Sequence, residues 1–168
     1  MKELNAFFEV EPELNTVSSP QWRKLAMVMD SGAAESVAPV NLAPWVKLAE
    51  SAGSRKGQVY VSACGERIPN LGEKSLEVVT DEGRSARAKF QIADVTRALC
   101  SISRVCDQGN KVIFESGGGW IESSDGRRTA FKRENNVYVL ELHVHDPGHR
   151  DEGADHGLDA SGFARLSR

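Results

Sequence analysis

Short segments in which apolar and polar residues alternate place the strongest constraint on the fold of this chain. Alternation puts the apolar side chains on one face of an extended segment, which predicts half-buried β-strands. The clearest examples are residues 57–63, 75–80, 86–93, 128–132 and 137–142. Turn sequences such as Asp125-Gly126 and Asn135-Asn136 stand between them, as in hairpins. The order shows no βαβ alternation, so we expect an all-β meander rather than a doubly wound parallel sheet.

Two segments depart from this alternation. Residues 25–30 form a short apolar run that ends at a Ser-Gly turn, which is typical of a buried strand. Residues 95–105 instead predict one short helix, because the following apolar residues recur at helical spacing: Ala98, Leu99, Ile102 and Val105. Asp107-Gln-Gly109 is a suitable end for that helix.

Length and charge indicate one domain with two polar ends. The chain has 168 residues and a net charge of -3, and acidic residues concentrate near both termini. We therefore expect a partly disordered leader over 1–21, a folded domain over 22–144 and a disordered tail over 145–168. The small net charge favours neither a nucleic-acid partner nor a membrane surface.

The sequence also bears on the compartment. No apolar run approaches the ~20 residues of a spanning helix, and the acidic start lacks the order of a signal peptide. Cys64, Cys100 and Cys106 form neither a disulfide framework nor a zinc pair. These features predict a cytoplasmic protein without a cofactor.

The residues with the most specific chemistry are Asp30, Ser31, Gly32 and Ala33, directly after the apolar run. Gly32 permits a tight turn in which backbone N–H groups reach the Asp30 carboxylate, and Ser31 supplies a hydroxyl. The same residue types also suit an ordinary β-turn.

A catalytic interpretation of Asp30 requires a second carboxylate. Two aspartates about 3 Å apart share one proton, so that one activates water while the other protonates a carbonyl. The chain contains only one Asp-Ser-Gly sequence. A two-fold symmetric homodimer would bring a second Asp30 to the axis.

Four segments in order carry a resemblance to a known family. They are residues 27–33 (Met-Val-Met-Asp-Ser-Gly-Ala), 63–72, 94–114 and 136–140 (Asn-Val-Tyr-Val-Leu). Together they resemble the retropepsin-like aspartic protease region of copia-type long-terminal-repeat retrotransposon Pol polyproteins. The resemblance covers roughly residues 25–142. The chain departs from viral relatives at residues 98–101, where no glycine precedes the helix, and in its extra length over 107–142.

The resemblance implies a retropepsin-like β-barrel or sandwich with one short helix and extra C-terminal hairpins. It implies a homodimeric aspartic endopeptidase that cleaves an extended peptide or polyprotein, with Asp30 catalytic and Ser31, Gly32 and Ala33 supporting it. It also implies a mobile flap that closes over the substrate, formed by Gly65, Glu66, Arg67, Ile68, Pro69 and Asn70.

Three other interpretations stay open. The domain could be a catalytically inactive dimerisation or peptide-binding module derived from a retrotransposon. Asp94 or Asp107 could supply the second acid within one chain, although neither leads from an apolar strand into a Ser-Gly turn. The histidines at 143, 145, 149 and 156 have metal-ligand chemistry but lie in a glycine-rich segment, which favours a solvated tail and no metal.

Overall fold

A computed structural model describes residues 22–148, which are mainly β. Eleven strands and two short helices occur within these residues. The strands are β1 (Trp22–Asp30), β2 (Val37–Pro39), β3 (Val59–Val61), β4 (Arg67–Pro69), β5 (Gly72–Thr80), β6 (Ser85–Ala93), β7 (Ala98–Ser101), β8 (Lys111–Glu115), β9 (Gly118–Glu122), β10 (Arg128–Glu134) and β11 (Val137–His145). The helices are α1 (Ala52–Arg55) and α2 (Ile102–Asp107).

Six strands form a closed barrel in the order β1-β7-β2-β6-β5-β11, and β11 pairs back onto β1. The β1–β7 and β2–β6 pairs are parallel, whereas the other neighbours are antiparallel. The β1–β11 pairing is extensive, from Trp22 opposite His145 to Val28 opposite Val139. Closure leaves these strands without a free lateral edge along their paired stretches.

The barrel interior is filled by the inward side chains of the alternating strands. The largest ones there are at most 2% exposed: Met27, Leu76, Phe90, Ile92, Leu140 and Leu142. Burial of one such side chain contributes about 1.5–3 kcal/mol to stability. The apolar side chains of the alternating segments therefore lie on the strand faces that pack into the core.

Three strands continue the sheet beyond the barrel in the order β10-β9-β8. We call β8–β10 the extension. β10 pairs with the first residues of β11, from Lys132 opposite Val139 to Glu134 opposite Val137. The extension corresponds to the extra C-terminal hairpins expected from the sequence.

β3 and β4 form a separate two-stranded sheet, which we call the β3–β4 hairpin. α1 precedes this hairpin and begins with a reciprocal capping box: the Ser51 side chain accepts from the Ser54 N–H, and the Ser54 side chain accepts from the Ser51 N–H. α1 was not expected, so the described residues hold two short helices rather than one.

The structure corrects the predicted helix over 95–105. Ala98–Ser101 form strand β7, parallel to β1, and only Ile102–Asp107 are helical. The apolar residues at 98 and 99 belong to a strand, and those at 102 and 105 belong to a helix. Their helical spacing therefore arises by chance where the strand meets the helix.

The folded region also passes the boundary expected at residue 144. β11 includes His145, and Asp146 is buried against the Arg23 guanidinium at 2.7 Å. The expected leader over 1–21 and the tail from residue 149 onward lie outside the described residues.

The three cysteine thiols are free, and only Cys100 is buried. Among residues 22–148, neither helix has the length and apolar character needed to cross a membrane.

Candidate active site

Asp30 is the last residue of β1, and the barrel sets its position. Met27 and Met29 of the same strand point into the core, and Asp30 lies opposite Ser101 in the parallel register with β7. The Gly32 N–H donates a 2.7 Å hydrogen bond to Asp30 Oδ1. A Cβ on residue 32 would lie only 3.3 Å from that oxygen, so glycine gives the carboxylate room.

Ser101 fixes the loop that follows Asp30. The side chain is fully buried, and its hydroxyl donates to the Ala33 carbonyl at 2.6 Å. The Ser101 N–H donates to Ser36 Oγ at 3.1 Å. The same hydroxyl accepts from the Arg104 N–H at 3.3 Å and so caps α2. One buried residue therefore joins β7, α2 and both ends of the Ala33–Ser36 segment.

Glu35 connects that loop to α2 and to the β3–β4 hairpin. The Tyr60 hydroxyl donates to Glu35 Oε2 at 2.8 Å, and Gln58 Nε2 donates to the same oxygen at 3.3 Å. Arg104 lies 3.5 Å from Glu35 Oε1, and its Nε donates to the Ala34 carbonyl at 3.2 Å. Burial and the nearby Glu35 carboxylate raise the pKa of the Tyr60 hydroxyl well above its ordinary value, so Tyr60 stays a neutral donor.

Asn70 anchors the base of the hairpin. It is buried, and its Nδ2 lies within hydrogen-bond distance of three acceptors: Gln58 Oε1 at 3.0 Å, the Tyr60 hydroxyl at 3.1 Å and Gln91 Oε1 at 2.9 Å. Its Oδ1 accepts from the Gly72 N–H at 2.9 Å. Asn70 thus fixes the hairpin to β6 and β5 and is remote from the hairpin tip.

The tip of the hairpin is exposed. It is the turn over residues 62–66, closed by a 2.9 Å bond from the Ser62 N–H to the Glu66 carbonyl, with Gly65 at φ +85°. That backbone angle favours glycine. The Ser62 hydroxyl lies 3.1 Å from Cys64 Sγ and lowers the pKa of the Cys64 thiol.

The residues predicted as a flap therefore share one hairpin, with different surroundings. Gly65 and Glu66 lie in the tip, Arg67, Ile68 and Pro69 form β4, and Asn70 follows it. Through Tyr60 on β3, this hairpin contacts the loop that begins at Asp30. The structure thus brings the predicted catalytic loop and the predicted flap to the same end of the barrel.

The remaining predicted residues are distributed around that loop. Ser31 and Gly32 are exposed, and Ala33 contributes its carbonyl to Ser101. Asp94 is exposed, and Asp107 pairs with Arg104 at 3.8 Å. Within residues 22–148, neither of these aspartates forms a hydrogen bond with Asp30.

The described histidines form no metal centre. His143 pairs with Asp81 at 2.8 Å, and His145 packs edge-on against Trp22. Over residues 22–148, no three His, Cys, Asp or Glu side chains form a metal-binding group. His149 and His156 lie outside this part of the chain.

Glu35, Tyr60, Arg104 and Ser101 did not stand out in the sequence. Each residue type is common, and the four are separated by up to 69 positions. The only local signal was that Glu35 follows the Asp-Ser-Gly-Ala sequence closely.

Comparison with known proteins gives no identification: no family model, no curated protein and no solved structure matches this chain.

Proposed function

We propose that the chain is an aspartic endopeptidase that acts as a homodimer on an extended peptide, in the manner of the retropepsin-like enzymes. One observation carries this proposal. Asp30 ends a barrel strand in a loop held rigidly by Ser101, while the loop residues Ser31 and Gly32 remain exposed. A rigid carboxylate at an accessible surface suits pairing with its symmetry mate.

The proposed mechanism uses two Asp30 residues, one from each copy, that share one proton. The ionised carboxylate accepts a proton from a water molecule as the water oxygen attacks the carbonyl carbon of the peptide. The protonated carboxyl donates its proton to the carbonyl oxygen, which gives a neutral gem-diol. The peptide nitrogen then takes a proton from one carboxyl while the C–N bond breaks and a diol hydroxyl returns its proton to the other carboxylate. No covalent intermediate forms.

The hairpin suits a role in substrate binding. An extended peptide between the Asp30 loop and the hairpin could hydrogen-bond to exposed backbone groups as an added strand. The tip can move over it while Tyr60 and Asn70 hold the base. The resemblance to retrotransposon Pol polyproteins makes such a polyprotein, cut in the cytoplasm, the proposed substrate, and the three free thiols suit that compartment.

The test is cleavage of a peptide library by the full chain and by the Asp30→Asn variant. We expect the variant to lose at least about a hundredfold in kcat/KM, since it lacks both general base and general acid. Asp94→Asn is the matched control, because it removes an exposed aspartate and should cleave normally. The parent should work best at acidic pH, where the pair holds one proton, and should be inhibited by pepstatin.

Two results would contradict the proposal. Equal cleavage by Asp30→Asn would remove Asp30 from the chemistry. Peptide binding without turnover by the parent at any pH between about 3 and 7 would favour the inactive peptide-binding module instead.

A further inference from the structure

β8 is an edge strand with one side open. It pairs with β9 over its whole length, from Lys111 opposite Glu122 to Glu115 opposite Gly118. Among residues 22–148, no strand pairs with its other side. An open edge of this kind can accept a strand from another chain.

The backbone of β8 presents hydrogen-bonding groups at two positions along that open side. The Arg133 N–H donates to the Gly117 carbonyl at 3.0 Å, so the backbone of Gly117 bonds toward β10. Because successive residues of a strand direct their backbone groups to opposite sides, Gly118, Trp120 and Glu122 bond toward β8. Their partners at 111, 113 and 115 therefore bond toward β9. The N–H and C=O groups of Val112 and Phe114 point away from the sheet.

The β8 sequence complements itself in the antiparallel direction. It reads Lys-Val-Ile-Phe-Glu. If two copies pair around a two-fold axis at Ile113, then Lys111 of each copy lies opposite Glu115 of the other. Val112 lies opposite Phe114, and these two positions carry the outward backbone groups. A shift of register by one residue would lose both charge pairs.

The side chains of β8 are available for such a contact. Phe114 is 42% exposed although it packs against Phe131 and Tyr138. Lys111 and Glu115 are exposed, and neither forms an ion pair within the described part of the chain. A second β8 would cover the Phe114 ring and give both charges a partner.

We propose that β8 is the seam of a homodimer, in which two copies pair antiparallel about Ile113 and join their extensions into one continuous sheet. β9 and β10 lie between β8 and the barrel strands, so this seam is a contact separate from the Asp30 contact of the proposed function and goes beyond it. It does not require Asp30 to be catalytic.

The experiment is sedimentation of the full chain over a concentration series, with charge variants at the seam. We expect the parent to associate through β8, and Lys111→Glu or Glu115→Lys alone to raise the Kd of that contact about tenfold or more. Each single change places two like-charged pairs across the axis. Lys56→Glu and Glu50→Lys are matched controls, because they make the same charge changes at exposed positions away from β8.

Two combinations make the test specific for this register. A mixture of the Lys111→Glu and Glu115→Lys proteins should form a heterodimer, since every Lys then faces a Glu. The double variant should dimerise again with itself. A parent that stays monomeric at all concentrations, single variants that dimerise like the parent, or a mixture without heterodimers would overturn the seam.

The outcome is separable from that of the catalytic proposal. Asp30→Asn should associate through β8 like the parent, because Asp30 lies outside β8. Dimerisation with these charge effects but without peptide cleavage would uphold the seam and reject the endopeptidase. Asp30-dependent cleavage by a protein whose association these charge changes do not affect would reject the seam and uphold the endopeptidase.

Discussion

Around Asp30, loop, helix and hairpin are joined by buried hydroxyl, amide and carboxylate groups, whereas the extension is joined by aromatic rings and exposed ion pairs. Ser101 and Asn70 are buried and make several hydrogen bonds each. In the extension, Phe114 and Phe131 form a ring cluster with Tyr138 of the neighbouring β11, and the charges lie at the surface.

The difference follows from what each region must hold in place. A loop exposes backbone groups that need partners, and buried polar side chains supply them at fixed directions. A regular antiparallel sheet already satisfies its backbone, so apolar packing is enough to stabilise it. The polar network therefore gives the Asp30 end a defined geometry, and the aromatic cluster gives the extension its stability.

The largest effect on stability should come from the aromatic cluster. Phe131→Ala should lower the free energy of unfolding by about 3 kcal/mol, because Phe131 is only 5% exposed and its loss leaves a cavity. Phe131→Leu is the control and should lose much less. Denaturant unfolding gives both values. If Phe131→Ala is as stable as the parent, the extension is held by something other than this cluster.

A smaller loss of stability with a larger effect on the site is expected for Ser101→Ala. Removing the hydroxyl leaves the Ala33 carbonyl and the first turn of α2 without their partner, which should cost about 2 kcal/mol. Peptide cleavage by the folded variant should also fall, since the Asp30 loop loses its anchor. Ser124→Ala removes an exposed hydroxyl away from this network and should change little. Similar behaviour of the two variants would contradict the special role of Ser101.

The smallest effect should come from the exposed ion pairs beside the extension. Glu141 lies 2.8 Å from Lys24 and 3.1 Å from Lys132. The hydrogen bond from Lys24, with a further one from Lys132, lowers the pKa of the Glu141 carboxyl below its ordinary value of 4.5. A carboxyl group whose pKa is lowered in the folded state stabilises the fold at pH values above its ordinary pKa. This contribution is lost as the pH falls from the ordinary pKa through the lowered one.

Glu141→Gln should therefore cost about 0.5 kcal/mol at neutral pH, because solvent screens both lysine side chains, which are about half exposed. The difference between parent and variant should shrink as the pH is lowered from about 5 to 3. Unfolding curves at several pH values measure this. A difference that grows on acidification would have the wrong sign for this account.

Much of the main sheet could be predicted from local sequence pattern. β5, β6, β10 and β11 alternate because one face of each lies in the core, and their predicted positions agree with the structure. The position of Asp30 at a strand end followed from the apolar run before it. These features depend only on neighbouring residues.

The features that were missed depend on distant residues. β7 is short and parallel to β1, so its Ala-Leu-Cys-Ser sequence lacks the alternation that marks the other strands. The hydrogen bonds of Glu35 with Tyr60 and of Ser101 with Ala33 join positions 25 and 68 residues apart. Closure of the barrel brings them together, and no local pattern encodes that closure.

The central claim is that two Asp30 carboxylates meet at a two-fold axis. A crystal structure of the full chain with a peptide-like inhibitor tests it most directly. We expect one inhibitor bound between two copies, with Asp30 carboxylate oxygens of the two copies about 3 Å apart. Two copies whose Asp30 carboxylates face solvent on separate surfaces would contradict the account.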